Sequence, residues 1–191
     1  TMNGPADFLE VPKSPITGTV FSNAASTKMV HISEFTADLI KHGKLKLDKS
    51  RNSHLKATYH DSCNPARAMG LMDEPRYILD HVVDWVEMPE NTIREQTFCC
   101  GSGTGLNTDE IMELRMRSGL PRANAVKYVR DKHGVNMLSC VCAIDRATLT
   151  SLMNYWNPDV GVCGISELVG NALVLEGETR GELDEGLRTL L

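Results

Sequence analysis

The chain has 191 residues, a formal net charge of -5 and six cysteines. That length suits one domain, or one domain with a tail, and buries roughly 70 % of the unfolded surface, so the cysteines are not needed as staples of a small secreted scaffold. The acidic balance argues against nucleic acid, no apolar run approaches the roughly 18–20 residues of a membrane span, and the first residues lack a signal-peptide pattern. The expectation is a cytoplasmic protein with reduced thiols and no direct membrane span.

Residues 1–27 are rich in Pro, Gly, Ser, Thr and Asn and read as an N-terminal arm or linker. Met29-Val30-His31 reads as a strand end, and Ser33 as the cap of a helix through Phe35, Leu39 and Ile40 that stops at Gly43. Lys41 to Lys56 is basic, which suits a solvated loop or a dock for an acidic partner. His54 to His60 alternates apolar and polar, a strand signal. Asn64-Pro65 opens a short helix, and Asp73-Glu74-Pro75 opens another carrying Ile78, Leu79, Val82 and Val83. Arg94 to Phe98 reads as the next strand. Thr108 caps a helix with Ile111, Met112 and Leu114. Pro121 begins one with Ala125, Val126 and Val129, closed by Gly134. Val135 to Leu138 is a short strand, and Asp145 caps a helix through Leu149 and Leu152. Asp159 to Val162 is the last strand, and Ser166 caps a final helix ending near Gly177. The expected organisation is an arm over 1–27, a cysteine-bearing domain over 28–178 and an acidic tail over 179–191.

Strands alternating with helices predict an α/β fold with a mainly parallel sheet flanked by helices. On this reading Cys63, Cys99, Cys100, Cys140, Cys142 and Cys163 all follow strands, so the cysteines lie at the C-terminal strand ends, where open parallel sheets bind ligands. Helix N-termini there favour anionic sulfur. Val30-His31-Ile32-Ser33-Glu34-Phe35 resembles Cys163-Gly164-Ile165-Ser166-Glu167-Leu168, which suggests a duplicated ancestor, and a chain that is the C-terminal piece of a longer protein, or a coincidence of common helix starts.

The vicinal pair Cys99-Cys100 is a poor structural disulfide, because adjacent Cα atoms lie about 3.8 Å apart and disulfides prefer roughly 4.4–6.8 Å. Two thiolates aimed at one centre explain it, as do two buried small hydrophobes. Dispersed thiols in excess of four favour an iron–sulfur cluster over zinc. Gly101, Gly103 and Gly105 match neither the dinucleotide nor the Walker spacing; they suit a loop whose backbone approaches a cluster and donates N–H groups to its sulfurs. His60 suits proton delivery to a leaving thiolate, or a strand-end histidine bonded to backbone. Arg67 offsets cluster charge or pairs with an acid.

Tyr59-His60-Asp61-Ser62-Cys63-Asn64-Pro65-Ala66-Arg67, Cys99-Cys100-Gly101-Ser102-Gly103 and Cys140-Val141-Cys142 resemble the cysteine-rich CCG domain found in the B component of heterodisulfide reductase and its relatives. Glu113-Leu114-Arg115-Met116-Arg117 and Leu120-Pro121-Arg122-Ala123-Asn124-Ala125-Val126-Lys127 are similar to the DsrK-like branch of that family. The resemblance implies a noncubane [4Fe–4S] cluster held by Cys63, Cys99, Cys100, Cys140 and Cys142. It implies reduction of a disulfide or trisulfide of a DsrC-type sulfur-carrier protein, with the substrate sulfur near Cys63, Cys99 and Cys100, where His60 is the candidate proton donor from the reading above. Electrons would come from quinol through a cytochrome b component and ferredoxin-type clusters, at the cytoplasmic face of the membrane and in the context of sulfite reduction. Family members end the motif Cys-x-x-Cys, whereas this chain has Cys-x-Cys. The fifth ligand therefore lies among Cys140, Cys142, Asp145 and Cys163, with Cys163 a candidate sixth thiol. Two other readings remain: a non-catalytic iron–sulfur or zinc assembly module, and a metal-free thiol redox protein.

Overall fold

The computed structural model describes residues 16–19, 30–103 and 108–175. Four parallel strands form one sheet: β1 (Lys56–Tyr59), β2 (Asp84–Trp85), β3 (Met137–Cys140) and β4 (Gly161–Gly164), in the order β2-β1-β3-β4. Among the described residues six α-helices cover it: α1 (Ile32–Lys41), α2 (Asp73–Val82), α3 (Met112–Ser118), α4 (Leu120–His133), α5 (Ala143–Trp156) and α6 (Ile165–Ala172). The α/β fold with a parallel sheet is the expected one.

Strand periodicity sorts the core into two layers. Ala57 and Tyr59 of β1, Met137 of β3 and Cys163 of β4 pack with Ile78, Leu79 and Leu168 on the side of α1, α2 and α6. Leu138 and Cys140 face the other way, against Val126, Leu149 and Leu152 on the side of α4 and α5. The register pairs Tyr59 with Ser139, Ser139 with Cys163 and Cys140 with Gly164, so the strand ends lie side by side. Pro121 sits in the first turn of α4, where its missing N–H costs nothing, and Gly134 ends that helix with φ 72°.

Several expectations are corrected. Residues 94–98 form no strand; Glu90–Thr92 and Arg94–Gln96 are single 3-10 turns, and Arg94 has φ 54°. The Arg94 N–H is taken by the Asp61 carboxylate at 2.8 Å instead of a neighbouring strand, which is what turns the chain out of extended geometry. The edge strand is the two-residue β2. Cys99 and Cys100 therefore stand in a loop rather than at a strand end, and Cys163 lies within β4. The last two strands also run two residues later than expected. Val30 and His31 are not in a strand, and α1 begins at Ile32, capped by His31, whose Nδ1 accepts the Ser33 N–H at 3.2 Å; Ser33 is buried and does not cap. Asp145 is not the cap of α5, which starts at Ala143 after Cys142; its side chain turns inward. The two similar segments prove to be equivalent helix starts. Glu34 accepts the His31 N–H at 3.1 Å, and Glu167 accepts the Gly164 N–H at 2.9 Å. Met29, Gly105, Gly177, the 179–191 tail and most of the 1–27 arm lie outside the described residues.

Candidate functional site

All six cysteines are unbridged. Cys63 is exposed and precedes a π-helical turn (Asn64–Ala68) that follows β1. Cys99 is exposed and Cys100 is buried in the loop above α3 and α4. Cys140 closes β3, and Cys142, half-buried, caps α5. The loop turn depends on Gly101. Its φ is 89°, and a Cβ there would stand 2.7 Å from the Arg115 carbonyl and 2.9 Å from the Gly119 nitrogen. In this turn the Gly101 N–H donates to Cys99 Sγ at 3.3 Å, while the Gly101 carbonyl accepts from Ser118 Oγ at 3.2 Å.

Burial, then the neighbouring Asp145 carboxylate, pushes the Cys100 and Cys140 thiols well above the ordinary cysteine range. Burial and Glu167 push Cys163 up to about 12. These thiols ionise when a cation binds them, because a coordinated thiol loses its proton outright. Cys163 belongs to the layer of α1, α2 and α6, opposite Cys100 and Cys140. Among the described residues no three His, Cys, Asp or Glu side chains are grouped to share a single metal ion. The cysteines are instead spread over three segments around 63, 99–100 and 140–142.

Buried polar groups able to donate gather beside the cysteines. His60 Nδ1, Ser102 Oγ and Ser139 Oγ are sealed from solvent without a hydrogen-bond partner, one on each of the three segments, and each lies within three residues of a cysteine. Such orphans are costly unless a further group meets them. Their clustering on the cysteine-bearing segments fits a polar cofactor with sulfur acceptors better than a plain apolar core. His60 Nε2 lies 3.5 Å from Asp145 Oδ2. Burial, then the Arg122 charge, lowers the His60 pKa, against the pull of Asp145. Burial would raise the Asp145 carboxyl, but His60, Cys100 and Ser62 overcome it and hold it at about 2.

Three arginines fasten the loop that leads into Cys99. Arg76 of α2 forks onto Asp61, with Nη1 and Nη2 each 2.8 Å from a carboxylate oxygen, and reaches Glu87 through Nε at 2.8 Å. Asp61 in turn takes the Arg94 N–H. Arg67, from the turn after Cys63, donates to the Glu95 carbonyl at 2.8 Å and the Thr97 carbonyl at 2.6 Å. Arg122 of α4 donates to the Thr92 carbonyl at 2.6 Å, Thr97 Oγ1 at 2.9 Å and the Phe98 carbonyl at 3.3 Å. Arg67 thus binds main chain rather than an acid. Sequence reasoning passed over Arg76 and Arg122 as site residues. One signal was present: Arg122 precedes Ala125, Val126 and Val129 at the three-, four- and seven-residue spacing of a buried helix stripe.

A parallel sheet with cysteine-bearing segments beside it and a vicinal pair on a glycine loop defines a cysteine-rich α/β domain. Residues 57–143 match the family model of the cysteine-rich CCG domain, and through them the chain belongs to that family. It is similar to the iron–sulfur polypeptide of the Hdr-like menaquinol oxidoreductase of Archaeoglobus profundus, 52 % identical over 147 residues, 76 % of this chain and 26 % of that protein. It is also similar to the D component of the dihydromethanophenazine:CoB–CoM heterodisulfide reductase of Methanosarcina mazei, 36 % identical over 156 residues, covering 78 % and 35 %. The B component of the CoM/CoB fumarate reductase of Methanothermobacter marburgensis is 31 % identical over 147 residues, covering 75 % and 27 %. The chain spans between 26 % and 35 % of the length of these relatives. No solved structure matches it. Among the described residues no helix is long and apolar enough to cross a membrane.

Proposed function

We propose that this chain is the cluster-bearing part of a heterodisulfide-reductase-like oxidoreductase. The observation that carries the proposal is the collection of partnerless buried polar atoms on the three cysteine segments of a CCG domain. Cys63, Cys99, Cys100, Cys140 and Cys142 hold a noncubane [4Fe–4S] cluster, with Gly101 and Gly103 allowing the backbone to approach it. Arg67 acts through the main chain it holds. Cys163, in the other layer, is left out of the set. When bound, such a cluster supplies electrons to a substrate sulfur.

The exposed thiols of Cys63 and Cys99 form the solvent side of the rim, where a sulfur substrate arrives; Cys100 and Cys140 form its buried side. Cleavage of RS–SR′ consumes two electrons and two protons and yields RSH and R′SH. One proton comes from His60, whose ring is held by Asp145, and the other from solvent at the exposed side of the rim. The substrate is a disulfide or trisulfide of a DsrC-type sulfur carrier. Quinol supplies the electrons through cytochrome b and ferredoxin-type partners, at the cytoplasmic face of the membrane and in a sulfite-reducing system. The names of the relatives, an Hdr-like menaquinol oxidoreductase and a heterodisulfide reductase, support the quinol-linked, heterodisulfide-reductase-like role.

Anaerobic purification with iron, sulfide and EPR analysis tests it. Four iron and four sulfide per chain are expected, falling sharply in Cys99→Ser and unchanged in Cys163→Ala. Stoichiometric zinc, or an unaltered cluster in Cys99→Ser, overturns the assignment.

A further inference from the structure

Among the described residues Arg122 is the largest fully buried side chain, with 0 % exposure. It sits in the first turn of α4, the end of a helix that disfavours a cation. Its hydrogen bonds go to neutral acceptors throughout: the Met88 sulfur at 3.0 Å, the Thr92 and Phe98 carbonyls and Thr97 Oγ1. Its Nε has no acceptor. The nearby carboxylate of Asp61 is already neutralised by the fork of Arg76. Burying a guanidinium without a paired anion is among the costlier arrangements a fold can hold. Burial lowers the Arg122 pKa to about 10, so it keeps its charge at neutral pH, and the groups that pull against burial are Asp61, Asp145, Cys100 and Cys99. Two of those four are the vicinal thiols. Arg122 holds the Phe98 carbonyl at 3.3 Å, one residue before Cys99, so the sealed cation stands beside the pair and has a partner in whatever negative charge the thiolates hold.

We infer that Arg122 is a positioning residue with an electrostatic role. It is the fixed positive charge behind Cys99 and Cys100 that offsets the anionic centre these thiolates hold and makes that centre easier to reduce. This role rests on the cluster-bearing reading above and goes beyond it. The same guanidinium supports the geometry, because its forked donors hold the 92–98 segment that delivers the pair. Charge and support are separable. A lysine keeps the charge and loses the fork, whereas a glutamate at position 88, where Met88 touches Nη1, cancels the charge and leaves the fork in place.

The test is an EPR-monitored redox titration of the anaerobically loaded chain in four forms: wild type, Arg122→Met, Arg122→Lys and Met88→Glu. The midpoint potential is expected to fall in Arg122→Met and in Met88→Glu, and to stay near the wild-type value in Arg122→Lys. Should Arg122→Met fail to fold, Met88→Glu carries the comparison, because it retains the arginine. A loaded Met88→Glu chain with an unchanged potential overturns the inference, as does a loaded Arg122→Met chain at the wild-type value. A wild-type chain that takes up neither iron nor sulfide overturns the cluster reading itself, and with it this one. That failure shows in the metal analysis, before any potential is measured.

Discussion

Asp61→Asn is the sharpest test of how the site is held. The Asp61 side chain has no solvent exposure and receives three donors at 2.8 Å: both terminal nitrogens of Arg76 and the backbone N–H of Arg94. An asparagine keeps one oxygen and turns two new N–H donors toward groups that are themselves donors. Removing one partner of a buried pair costs about 3–5 kcal/mol, and the surviving contact of Arg76 with Glu87 places this case near the lower end, at about 3 kcal/mol. For a chain of this size that corresponds to a fall in Tm of about 6–12 °C. Urea unfolding and thermal melts of the chain as purified, matched for iron content, measure it. Glu87→Gln is the control: Glu87 is about one-third exposed on its side chain, so its loss is expected to cost no more than about 1 kcal/mol. If Asp61→Asn costs no more than this control, the carboxylate is not what fixes the Arg94 turn, and the account of residues 90–98 fails.

Gly101→Ala is expected to lose about 2–5 kcal/mol, from the positive φ and from a Cβ driven against two backbone atoms, and to lower iron content in step; a variant as stable as wild type would show that the loop turn is not fixed by glycine. The pH dependence follows from His60, whose pKa is lowered by burial and by Arg122. The unfolded chain takes up that proton first, so stability falls as pH drops below about 6.5, and His60→Gln is expected to flatten this part of the urea-midpoint profile. The contribution of Asp145 has the same sign in a more acidic window: its folded pKa of about 2 lies below the unfolded value, so its share persists above about pH 4 and is lost as pH falls toward 2.

The parallel architecture was legible because apolar periodicity switches between strand and helix along the chain, and Gly134 and Pro121 mark the ends of α4 without ambiguity. The segment 90–98 was not legible. Nothing local distinguishes Arg94 to Phe98 from a short strand; what folds it as turns is a carboxylate 33 positions away in sequence, together with arginines from α4 and from the turn after Cys63. The segment's strand reading failed because its hydrogen-bond partners are side chains, which periodicity does not report. The cysteines were legible as a set of chemically alike groups. Their division between two layers was not, since it depends on the phase of β3 against β4: Cys140 pairs with Gly164, and Cys163 therefore points the opposite way. His31 as a helix cap was hidden because imidazole is an uncommon acceptor in that position, although Glu34 three residues later carried the signal.

The way residues 92–98 are fastened has a mechanical consequence. Cys140 belongs to the sheet, locked by main-chain bonds on both flanks of β3. Cys99 and Cys100 hang from side-chain hooks rooted in α4 and in the turn after Cys63. The two sides of the site are thus held by different kinds of bond: substituting one arginine can release Cys99 and Cys100, whereas Cys140 stays in register as long as the sheet does.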